Sequence, residues 1–217
     1  MITTPDLIDR LVTSAKPVRR LRPPLVRACL WLLLAFAVMV LLAISHGFRS
    51  DIVQRLQQPV FVISIAASLA TGILAAIASF IVSLPDRSRV WLLLPVPSLL
   101  VWVSTISYGC LTDWVSIQPG GIRLGEAARC FATLVLTSVP LSLAMLFMLR
   151  YAALLRPTLV ATIGSLAVAA FTSAALSLYH DLNATMMVLM WNLGVAVLIV
   201  TLGAATGKKT FSWVAPQ

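Results

Sequence analysis

The chain has 217 residues, of which 60% are hydrophobic and 11% charged, and its mean hydropathy is +0.99. Soluble domains carry roughly 25% charged residues, so these numbers exclude a water-soluble globular protein and make lipid the solvent. The net charge of +9 suits basic segments lying against anionic lipid and calls for no direct nucleic acid binding.

The first element is short and amphipathic. Thr4 suits a helix cap, Pro5 the first helical position and Asp6 the first turn. Leu7, Ile8, Leu11 and Val12 then share one face, while Asp6, Asp9 and Arg10 lie on or near the other. A helix of about ten residues is marginal alone in water, so it is expected to form on a partner surface. Two acids and one base on the polar side favour a protein groove over a membrane surface, which prefers a cationic face.

The stretch "KPVRRLRPP" cannot continue that helix. With Arg27 it supplies Lys16, Arg19, Arg20, Arg22 and Arg27, read as a stiff spacer facing anionic lipid headgroups. Residues 1–27 thus form a cytoplasmic N-terminal segment, and 207–217 a cytoplasmic tail.

Between them, 28–206 is predicted to be one transmembrane bundle. Six apolar segments reach the length of about 20 residues that a span needs, at about 28–46, 60–84, 90–108, 130–149, 157–178 and 184–206. Ala43 and Ser45 imitate a signal-peptide cleavage site, but the apolar run is too long and five more follow. Arg10, Lys16, Arg19, Arg20, Arg22, Arg27, Arg87, Arg89, Arg150, Arg156, Lys208 and Lys209 fall on one side; only Arg49, Arg55, Arg123 and Arg129 fall on the other. The positive-inside rule puts both termini in the cytoplasm. The fold class expected is therefore all-α, a polytopic six-helix membrane bundle in a bacterial inner membrane.

None of the six segments contains Asp, Glu, Lys or Arg. Ion carriers and membrane enzymes usually place ionisable groups at that depth, so no catalytic set is assembled and an enzyme is not expected. Small residues recur instead. Ser64, Ser68, Gly72 and Ala76 form a ridge on the second span, and Ala161, Ser165, Ala169, Ser173 and Ser177 one on the fifth. Such ridges bring helices close in lipid; packing within the chain is expected, with a homodimer face as the alternative. Their matching places suggest two inverted three-helix halves, without a residue-by-residue repeat. Pro95 and Pro97 are expected to break the third span and Pro140 to bend the fourth.

Cys29 reads as an apolar filler at the start of the first span. Cys110 and Cys130 flank the longest outer loop, where a disulfide is feasible in an oxidising compartment. With His180 and Asp181 they compose a candidate outer sensing patch for an oxidant or a metal ion. The plainer reading is two packed thiols and a solvated histidine, since no two ligands have a metal-type spacing. No other cofactor is expected.

"DLIDRL", then "PVRRLRPPLVR" running into a Trp-led first span, resembles the NrsF family of six-span bacterial anti-sigma factors. The resemblance continues in "RSDI", in "LPDRSR", in Cys130 followed by "SVP" ahead of Arg150, and in Trp191. It implies that the cytoplasmic N-terminus holds an extracytoplasmic-function sigma factor away from RNA polymerase. It also implies two outer cysteines tied to metal or oxidant signals. Cys130 matches the first; the second falls at about His180, where this chain has no cysteine. The expected function is a membrane anti-sigma factor released by an outer or membrane signal, in a stress response. The alternative is a small-solute carrier or a transporter accessory subunit.

Overall fold

The computed structural model describes residues 4–14, 22–47, 51–113, 124–149, 157–179 and 201–202. Its helices are α1 (Thr4–Ser14), α2 (Pro24–His46), α3 (Ile52–Leu56), α4 (Pro59–Val82), α5 (Val96–Asp113), α6 (Leu124–Leu149) and α7 (Pro157–Tyr179), with a 3-10 segment at Arg89–Leu93 ahead of α5. No strand occurs among the described residues. Three of the long helices, α2, α4 and α7, begin on proline. Its fixed φ fits the first helical position, where the missing N–H costs nothing. At the other end of α2, Gly47 takes φ +72° and donates its N–H to the Ala43 carbonyl, a stop that a side chain would strain.

Among the described residues, four stretches are long and apolar enough to cross a bilayer: Pro24–Ser45, Pro59–Val82, Arg89–Ser107 and Thr158–Tyr179. The fourth expected span falls within α6, whose described apolar section is Val135–Leu149. The sixth, 184–206, lies outside the described residues apart from Thr201 and Leu202, which are helical. The third span is broken as its prolines predict: Ser88 caps the 3-10 segment by accepting from the Val90 N–H, and α5 begins after the buried Pro95. Helix α6 contains Pro140, the residue expected to bend it, within its length.

Helices α4 and α7 pack most extensively against each other; α2 and α6 cover one side of this pair, and α5 packs on α4. Gly72 lies against the Phe171 ring and the Ala167 carbonyl, while Ser79 meets Gly164 and donates to the Val160 carbonyl at 3.5 Å. Rising numbers on α4 thus meet falling numbers on α7, so the two run antiparallel. The ridge expected on α4 is buried at Ser68, Gly72 and Ala76. On α7 the expected ridge is buried at Ala169 and Ser173 and half-buried at Ala161, Ser165 and Ser177, while the contacts with Gly72 and Ser79 come from Val160, Gly164, Ala167 and Phe171. A phenylalanine, Phe171, fills the notch that Gly72 leaves.

Helix α2 contributes a seam of Ala28, Trp31, Ala35 and Leu42, and α6 one of Leu141, Met145 and Leu149, all buried. The Trp31 indole N–H donates to the Leu141 carbonyl at 3.1 Å, and its ring stands edge-on to Phe171 at 5.6 Å. At the far end the Tyr179 hydroxyl donates to the Met39 carbonyl at 2.8 Å. Buried Thr71, Ser68 and Ser83 return their hydroxyls to carbonyls of their own turns, which satisfies them without charge.

Candidate functional site

The candidate site starts at α1. Asp6 stands in its first turn, where a carboxylate meets the positive end of the helix dipole, and the Thr13 hydroxyl donates to the Asp9 carbonyl at 2.7 Å. Ile8 and Val12 lie one turn apart and are 54% and 69% exposed; Asp6 and Asp9 are exposed as well. Leu7, Arg10 and Leu11 belong to the same helix, with side chains outside the described residues. Among the described residues, none of the substantial helix pairings involves α1. An apolar pair that the bundle leaves uncovered is therefore available to another surface.

Of the spacer cations, Lys16, Arg19 and Arg20 lie outside the described residues, and Arg22 is exposed. Arg27 departs from the sequence reading. Pro24 starts α2 earlier than the apolar run suggests, so Arg27 falls in the first turn of the helix and not in the spacer. It is 6% exposed, with its guanidinium 5.2 Å above the centre of the Phe80 ring. It faces the bundle because it shares the inward side of α2 with Ala28 and Trp31, and the ring of Phe80 accepts a cation on its face. Sequence reasoning missed this placement. The available signal was Trp31, one turn on, which marks the buried side of the helix.

Arg27, Phe80 and Val160 mark one end of the bundle; Met39 and Tyr179 mark the other. The first end also carries exposed Arg87 and Arg89. At the second, Arg55 is paired with Asp51 at 3.1 Å. The outer patch is not tested by this geometry. The backbones of Cys110 and Cys130 lie in α5 and α6, but their side chains, and His180 and Asp181 altogether, are outside the described residues. Among the described residues no group of three or more His, Cys, Asp or Glu gathers. Cys29 is exposed on α2.

Comparison with known proteins returns a family and nothing narrower. Neither a curated protein nor a solved structure matches the chain. The family model described as NrsF, negative regulator of sigma F, matches residues 11–213, beginning inside α1 and running past the last expected span. That is nearly the whole chain, on an all-helical scaffold with several membrane-length apolar helices, and the chain belongs to the NrsF family.

Proposed function

We propose that the protein is a membrane-anchored anti-sigma factor that holds an extracytoplasmic-function sigma factor through α1 on the cytoplasmic side of a bacterial inner membrane. The observation that carries this reading is the pair Ile8 and Val12, exposed on a helix outside the bundle's packing. A short helix of this kind binds by laying its apolar face in a groove. Ile8 and Val12, with Leu7 and Leu11, supply that face; Asp6, Asp9 and Arg10 set the register along it.

The bundle's part is to hold α1 at the membrane and to respond to a signal. Helix α2 leads directly from the N-terminal segment into the core, and Arg27 and Trp31 tie its first turns to α4, α6 and α7. A signal that favours a second packing of these helices changes how α1 is presented, provided that the two packings differ in stability toward the signal. Cys110, Cys130, His180 and Asp181 are the proposed outer sensing patch, by metal or oxidant.

The test is co-purification of the full-length protein with its sigma factor. Ile8→Asp and Val12→Asp are expected to abolish capture and raise transcription from sigma-dependent promoters, with the bundle's melting temperature unchanged. Capture undiminished in both variants would overturn the assignment of α1.

A further inference from the structure

Arg27 combines deep burial with missing partners. Its Nη2 is buried without a hydrogen-bond partner, and no ion pair to the residue is found among the described residues. Stacking on Phe80 meets the cation's charge but none of its N–H donors. An unpaired donor held away from water is costly, so an acceptor belongs beside it.

The chain's own acids are poorly placed to provide one. Asp51 stands at the opposite end of the bundle, where it pairs with Arg55. Asp113 and Glu126 lie at the end of α5 and the start of α6, also away from Arg27, and Asp181 follows α7. Asp86 is on the Arg27 end, but it is largely exposed and 3.6 Å from Arg87. Asp6 and Asp9 belong to α1, which lies outside the main helix pairings. The other charges near Arg27 are positive: Arg22, Arg87 and Arg89 at this end, with Arg150 and Arg156 bracketing the α6–α7 link in sequence.

The backbone adds to the same field. Pro23 gives α2 no side-chain cap, so the first-turn N–H groups of Leu25 and Val26 have no helical carbonyl to bond. A helix N-terminus of this kind favours an anion. Its depth is also right. The apolar span of 22 residues from Pro24 to Ser45 rises about 33 Å at 1.5 Å per residue, close to the hydrocarbon thickness. Its first turn therefore stands at the level of the lipid phosphates.

We propose that Arg27, stacked on Phe80, forms with the open first turn of α2 a binding site for the phosphodiester of an anionic phospholipid. The planar fork suits a phosphate bidentately. This is one defined site, distinct from the diffuse attraction of the spacer cations to the leaflet. It concerns the bundle alone and does not depend on the identity of the cytoplasmic partner.

The experiment follows the melting temperature of the full-length protein in neutral detergent micelles, with phosphatidylglycerol, phosphatidylcholine or inorganic phosphate added. Phosphatidylglycerol is expected to raise it saturably above phosphatidylcholine. Arg27→Met is expected to lose more than half of that difference, Arg27→Lys to keep part, and the exposed Arg89→Gln to keep all. An undiminished response in Arg27→Met overturns the site, and an equal loss in Arg89→Gln overturns it in favour of diffuse attraction. Inorganic phosphate reproducing the full effect assigns the site to a free anion and overturns the lipid. A drop in melting temperature in phosphatidylcholine for the Asp6→Asn, Asp9→Asn double variant, matching that of Arg27→Met, makes α1 the acceptor instead. Should Arg27→Met not fold, native mass spectrometry of the unmodified protein decides: equal retention of the two lipids from an equimolar mixture overturns the proposal.

Discussion

Gly72→Ala is the sharpest test of how α4 and α7 are held. A Cβ built at Gly72 would lie 2.8 Å from Cδ2 and 2.9 Å from Cε2 of Phe171. Ordinary carbon contacts fall at about 3.5–4.0 Å, so the ring edge must withdraw by about 0.7 Å. It has little room to do so, because Trp31 stands against it and is itself fixed to the Leu141 carbonyl. Overpacking of this kind costs about 1–3 kcal/mol, while replacing glycine within a helix returns about 1 kcal/mol of propensity. The expected net loss is at most about 2 kcal/mol, read by equilibrium unfolding in mixed micelles. Phe171→Leu vacates the ring edge, so in the double variant the two losses should fall short of their sum by about 1 kcal/mol. Losses that simply add in the double variant would refute the notch as a contact that holds this helix pair.

Three further outcomes are expected. Trp31→Phe keeps most of the apolar ring but removes the donor to Leu141, and should cost about 1 kcal/mol in the same unfolding assay. Gly47→Ala should cost about 1–3 kcal/mol although nothing lies within 4 Å of the new methyl, because φ +72° with ψ 170° is a region that side chains rarely enter; Gly47→Ser should lose about as much, since the penalty is in the backbone. Asp51→Asn breaks a partly exposed pair with Arg55 and should change stability by less than about 1 kcal/mol, an effect that disappears in high salt.

Much of the scaffold is legible in the sequence because lipid imposes a plain code. Length and apolarity mark the long helices, prolines mark their starts, and Pro95 marks the break before α5. The code fails where the answer depends on a second helix. Small residues cover α7 so fully that their spacing does not reveal that Phe171 is the residue filling the space at Gly72. Arg27 fails for a related reason. Its charge ended the apolar run in the sequence, yet an aromatic face on α4, far along the chain, admits it to the interior. In the candidate site, the amphipathic character of α1 is readable from Leu7, Ile8, Leu11 and Val12, since it is a property of one helix. The outer patch is a proposal resting on sequence order, because convergence of Cys110, Cys130, His180 and Asp181 requires contacts between separate helices.

The separation of α1 from the bundle has an evolutionary consequence. A residue that packs in a core answers to every neighbour, so changing it risks the whole fold. Ile8 and Val12 are exposed on a helix outside the substantial pairings, and substitutions there are less bound by the core. On the proposed role of α1, partner choice in this lineage can drift or be exchanged by rewriting one short helix, while the membrane part is inherited intact. A chimera carrying a relative's first fourteen residues on this bundle should insert as well as the parent and answer to the relative's partner.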